Sequence, residues 1–140
     1  MDQRVTCIFH ICLAWATDAQ ESNKEFSYYI LTNVNWDSAN QICGISNATL
    51  ANLETQEDLT KAWNNAPVVW PYWTSASDNE PGDFTWGNGN PLFNNSSMWA
   101  AKEPNDFGAD HKTCVTMSGG KLFTERCTWA WYVVCEKLIN

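Results

Sequence analysis

Glu103, Pro104 and Asn105 place a carboxylate and a carboxamide on either side of a proline. A proline can hold the peptide in a fixed turn, cis included, so that both side chains reach one point. Carboxylate and amide oxygens converging on a point suit a hard cation such as calcium, which takes six to eight oxygen ligands. The amide also offers a donor to a sugar hydroxyl. Further acids stand within reach in sequence at Asp78, Glu80, Asp106, Asp110 and Glu125. Solvated surface is the plainer expectation for most of them.

Catalysis finds little support. Glu103 with Asp106 or Asp110 is the one local carboxylate pair that resembles glycosidase chemistry, and no apolar pocket is evident to raise either pKa. His111 has no persuasive nucleophile beside it. Gly87-Asn88-Gly89-Asn90 lacks the lysine and helix of a phosphate loop. The chain is therefore expected to bind rather than to catalyse.

The elements that position these residues follow from periodicity and punctuation. Residues 26–31 read as a strand. Asn35 caps a helix to about Cys43, with Trp36, Ala39 and Cys43 on its buried face and Gly44 at its stop. Residues 49–53 form a short strand. Thr55 caps a second helix whose stripe is Leu59, Ala62 and Trp63, with Asp58 in a capping-box position. That helix ends at Asn64-Asn65 and Pro67. Residues 68–74 read as an apolar strand. Residues 75–113 carry no clear period and form a long loop, ordered by Phe84, Trp86, Phe93 and Trp99. Residues 114–117 and 121–123 make a hairpin across Ser118-Gly119-Gly120, and residues 131–135 the last strand. The fold class is α+β.

Length and composition bound the rest. The 140 residues suffice for one domain. A formal net charge of −8 argues against nucleic acid or an anionic membrane as partner. Arg4 followed by the apolar residues 5–16 reads as a signal peptide cut after Ala14-Trp15-Ala16, with Ala19 as second choice; the run is too short to span a bilayer. The chain is expected to be secreted. Of six cysteines, Cys43, Cys114, Cys127 and Cys135 lie beyond that segment, which suggests two disulfides with three connectivities open. Pairing Cys43 with Cys135 would tie the ends of the domain together, and pairing Cys114 with Cys127 would close the hairpin. Sequons stand at Asn47, Asn94 and Asn95.

Taken together, Trp36-Asp37-Ser38-Ala39 leading to Cys43, Leu50-Ala51-Asn52-Leu53, Tyr72-Trp73-Thr74-Ser75, Phe84-Thr85-Trp86, Trp99, Glu103-Pro104-Asn105 and the closing Val134-Cys135-Glu136-Lys137 resemble the C-type lectin-like domain family. The resemblance spans residues 26–137 and looks most like secreted single-domain invertebrate lectins. It implies two helices flanking antiparallel sheets, with a long ordered loop. It also implies calcium held by Glu103 and Asn105, and binding of mannose-type sugars, which the order Glu-Pro-Asn favours. Glycans on cell or microbial surfaces are the implied partners, in innate recognition, with a homo- or hetero-oligomer supplying valency. Trp99 or Phe107 is expected to pack on the sugar face. Yet Leu122, Phe123 and Thr124 stand where the family has Trp-Asn-Asp, and Lys112-Thr113 stand where it has an acid. Asp106, Asp110 or Glu125 would have to complete the shell. Calcium dependence is thus expected to be weakened or absent, and a calcium-independent protein-binding domain is the alternative.

Overall fold

The computed structural model describes residues 23–105 and 110–139 in full, and the backbone of residues 4–8 and 11–15. Strands β1 (Arg4–Ile8) and β2 (Ile11–Trp15) pair with each other in a separate antiparallel sheet. They fall on the segment read as a signal peptide.

The main sheet has eight strands. Strand β3 (Lys24–Val34) is followed by helix α1 (Trp36–Ile45), the short strand β4 (Thr49–Leu50) and helix α2 (Gln56–Asn64). Then come β5 (Tyr72–Glu80), β6 (Asp83–Thr85), β7 (Pro91–Leu92), β8 (Thr113–Ser118), β9 (Lys121–Arg126) and β10 (Trp131–Leu138). The path runs β3-β10-β5-β6-β7, with β4 on β10, β8 on β5 and β9 on β8. All pairings in the sheet are antiparallel except β10 with β5, which is parallel.

Both helices start as their caps dictate. The Asn35 side chain accepts from Ser38 N–H, and Thr55 accepts from Asp58 N–H. The Asp58 carboxylate turns away from that cap to Lys24 Nζ at 3.0 Å. Gly44 is not the stop of α1. The helix passes through it to Ile45, and the left-handed residue beyond is Asn47 (φ 57°), whose amide and short side chain tolerate that conformation. The hairpin turn agrees with its residues, since Gly119 and Gly120 both have positive φ (61° and 75°).

Several strands differ from their sequence patterns. The apolar residues 68–70 are bends, and β5 begins only after Pro71, which has no N–H for a ladder. Tyr72 holds the bend through its hydroxyl, donating to Val68 O at 2.8 Å and accepting from Val68 N–H at 3.2 Å. At its far end β5 runs through Ser75, Ser77 and Asp78 to Glu80, and β6 and β7 lie inside the stretch read as loop. Ser75, Ser77 and Asp78 are all buried, so no alternation shows, and Ser75 Oγ donates to Asn52 Oδ1 at 2.6 Å and accepts from Gly87 N–H at 2.8 Å. The strand at residues 49–53 shrinks to two residues, and the last strand lengthens to Leu138.

The core has two parts. One gathers Leu53, Leu59, Tyr72, Phe84, Trp86, Trp99 and Leu122. The other surrounds the disulfide Cys43–Cys135 with Ala39, Leu50, Trp73 and Val133. The second disulfide, Cys114–Cys127, closes the β8–β9 hairpin across 13 residues. In a chain-entropy picture the shorter bridge contributes about 3 kcal/mol and the longer, spanning 92 residues, more than about 4.

A buried ionic cluster joins the start of β3 to α2 and β10. Lys24 lies within 3.0 Å of Asp58, 3.3 Å of Glu136 and 3.9 Å of Glu54, and donates to the Asn52 carbonyl. Glu136 in turn accepts from Asn52 N–H at 2.7 Å and from its side-chain amide at 3.2 Å. Among the described residues, no helix is long and apolar enough to cross a membrane.

Candidate functional site

The loop carrying Glu103 is fastened to β9 by backbone. Leu122 N–H donates to Met98 O, and Ala100 N–H to Leu122 O, both at 2.9 Å. Leu122 itself is fully buried, so this position serves the core. Glu103 N–H then donates to Ala100 O at 3.0 Å, closing a turn whose third residue, Lys102, has a φ of 69°. The Glu103–Pro104 peptide is cis.

The turn delivers Glu103 directly onto Thr124. Glu103 Oε1 accepts from the Thr124 N–H at 2.9 Å, from the Thr124 hydroxyl at 2.5 Å and from Asn105 N–H at 3.1 Å. The Thr124 hydroxyl also lies 2.9 Å from Asn105 O and 3.0 Å from Asn105 N–H. Thus Glu103, Thr124 and Asn105 form one closed knot. Three donors supply to one carboxylate oxygen the positive charge density that a cation would otherwise bring. Among the described residues, Glu103 Oε2 and the Asn105 side-chain amide make no hydrogen bond, and Asn105 is exposed.

This donor set does not fit a calcium shell. Phe123 has no side-chain oxygen, and Thr124 spends its hydroxyl on Glu103. Glu125 is half-buried, and its pKa is raised to about 7, first by desolvation and then by the charge of Glu103. Among the described residues, no group of three or more His, Cys, Asp or Glu could hold a metal ion.

The remaining expectations are redistributed. Trp99 is buried, its ring 5.4 Å from Phe84 and its N–H donating to Phe93 O at 2.9 Å, so it builds core and offers no face to a sugar. Asp106 and Phe107, proposed ligand and stacking residues, lie outside the described residues. Asp110 is exposed and sits 2.7 Å from His111 Nδ1. It lines a separate cleft of about 260 Å³ with Asp78, His111 and Lys112, which excludes Glu103 and Asn105. In that cleft Asp78 Oδ1 accepts from Thr113 N–H at 2.8 Å, and buried Oδ2 has no partner among the described residues. Glu80 is exposed near the end of β5. Lys112 lies 4.6 Å over the Trp36 ring, a cation–π contact. The sequon residues Asn47, Asn94 and Asn95 are all exposed.

Sequence reasoning weighed Thr124 only as a poor calcium ligand and missed it as the donor that holds Glu103. Its position three residues before Cys127, on the inner face of β9 with Leu122, was the available signal.

Comparison with known proteins agrees with this architecture. The model of the Lectin C-type domain matches residues 32–137. The mouse (Mus musculus) protein "C-type lectin domain family 1 member A" is 27% identical over 107 residues, covering 74% of this chain and 39% of its own length. The chain spans about two fifths of the length of the curated relatives it matches. Among solved structures, the C-type lectin TC14 of the tunicate Polyandrocarpa misakiensis superposes with a TM-score of 0.74 at 21% identity, covering 84% of this chain and 99% of that one. The cow C-type carbohydrate-recognition domain of CD23, determined in the presence of a GlcNAc2Man3 oligosaccharide, gives 0.73 at 24% identity, covering 98% and 99%.

Proposed function

We propose that this chain, which belongs to the C-type lectin domain family, is a carbohydrate-recognition domain that binds mannose-type glycans through Glu103 and Asn105 without a bridging calcium ion. The observation that carries this reading is the Glu103–Thr124–Asn105 knot. It fixes the carboxylate with one oxygen held by the protein and leaves the other, with the Asn105 amide, for ligand. A carboxylate oxygen accepts from one sugar hydroxyl, and the amide both donates to and accepts from its neighbour. Such a contact is weak alone, and more than one copy on a surface would raise its avidity.

We also read the protein as secreted and as working in innate recognition of cell or microbial surfaces. The leader-like residues 1–16, the two disulfides and the sequons support that reading. A protein ligand is the second reading, favoured by the loss of the family's oxygen ligands at Phe123 and Thr124.

Binding to immobilised mannose and to a broad glycan array tests the proposal. Asn105→Ala should weaken retention at least about tenfold while leaving the fold intact, because one well-placed hydrogen-bonding group is lost. Absence of wild-type binding to every glycan would overturn the sugar reading and leave the protein ligand.

A further inference from the structure

Two sequons overlap in Asn94-Asn95-Ser96-Ser97, and the two adjacent, exposed asparagines differ in what their side chains touch. We infer that Asn95 is the N-glycosylation acceptor and that the Phe93 ring is the platform on which its first N-acetylglucosamine rests. Phe93 to Ser96 form a turn closed by Ser96 N–H donating to Phe93 O at 3.1 Å. Asn95 is the third residue of that turn, and the sequon hydroxyl, Ser97, follows two residues later. Phe93 and Asn95 border one cleft of about 360 Å³. The Phe93 side chain is 65% exposed, whereas its neighbour Leu92 is 3% exposed. An uncovered ring two residues before the acceptor offers its face to the C–H side of the sugar.

Asn94 shares the turn and the cleft, but its side chain is engaged. Its amide donates to Gly82 O at 3.0 Å, which turns the nitrogen into the same cleft and against backbone. The residue two before it is the buried Leu92. Asn47 is exposed but has the aliphatic Ile45 at the corresponding position, so a glycan there would gain no ring.

The transfer is a substitution at the anomeric carbon of an oligosaccharide carried on a lipid diphosphate. The bond from Asn95 Nδ2 to C1 forms as the bond from C1 to the diphosphate oxygen breaks. The diphosphate leaves with the bonding pair, the amide nitrogen gives up one proton, and nothing is oxidised or reduced. The glycan would stand beside β7, the last strand on the sheet path, where it hinders edge-to-edge pairing with another chain.

The test expresses the full chain behind a heterologous secretion leader in a glycosylating eukaryotic cell, so that failure of its own leader does not confound the result. Enzymatic release in heavy-oxygen water marks the modified asparagine as labelled aspartate for peptide mass mapping. Label is expected at Asn95 and not at Asn94; Ser97→Ala should abolish it, and Ser96→Ala should retain it. Trimming the glycan to one N-acetylglucosamine should preserve Tm, whereas complete release should lower it by about 3 °C. Phe93→Ala should remove that difference, and an unglycosylated Asn95→Asp protein controls for the charge created on release. Label at Asn94, label at neither residue, or one Tm for the whole, trimmed and released forms would overturn the assignment.

Discussion

Two groups of acids in this molecule are satisfied by protein donors, and they are built in opposite ways. Around Lys24, the carboxylates of Asp58 and Glu136 are buried and shared among an ammonium, a backbone N–H and an amide. At the loop, Glu103 has one oxygen taken by Thr124 and Asn105 and the other without a partner among the described residues, beside an exposed Asn105. The first cluster is sealed and joins β3, α2 and β10. The second is half-sealed, with enough internal bonding to fix the carboxylate and enough left over to meet a ligand. Sealing therefore separates an acid that holds the fold from one that can recognise something.

The sharpest way to break the contrast is Lys24→Met. It strands two buried carboxylates and should cost about 3–5 kcal/mol of unfolding free energy, read as a lower denaturant midpoint. An equal loss on mutating the loop would erase the distinction. Thr124→Val takes the hydroxyl donor from Glu103 while keeping its shape and the backbone N–H. It should cost about 1–3 kcal/mol in the same assay and also reduce glycan retention, which Lys24→Met, at temperatures where it stays folded, should leave unchanged.

A smaller effect comes from Glu125. Its folded pKa is raised to about 7 from 4.5, so between those values the unfolded chain ionises while the folded one keeps its proton. Stability conferred by this group is therefore present below about pH 4.5 and is lost as pH rises to about 7. Because Glu125 is only half-buried, solvent screening reduces the loss to about 1 kcal/mol. Glu125→Gln should flatten that part of the stability–pH curve, measured by denaturation at several pH values; an unchanged slope would place the titration elsewhere.

How far the sequence carried the account differs between these regions. Caps at Asn35 and Thr55, the Gly119-Gly120 turn and the cysteine positions led to the helices, the hairpin and both disulfides, because each rests on a local backbone preference or a covalent pair. Strand β5 was misplaced, since its buried Ser75, Ser77 and Asp78 look like loop residues until their distant partners are seen. The Lys24 cluster was invisible for a similar reason: Asn52 is 28 residues from Lys24 and 84 from Glu136 along the chain. At the site, Glu103 and Asn105 were legible as a pair. The replacement of the family's Asn and Asp by Phe123 and Thr124 was legible too. That Thr124 turns from a missing ligand into a donor depends on the loop being folded onto β9. Trp99 was read as a stacking ring because composition alone does not tell a core tryptophan from an exposed one.

The most direct measurement is retention on immobilised mannose in calcium, followed by a wash with chelator in the same buffer. If the Glu103–Thr124–Asn105 knot has taken the place of the cation, the protein stays bound through the wash. Elution by the chelator would show that a calcium ion holds the sugar after all and would contradict the central claim.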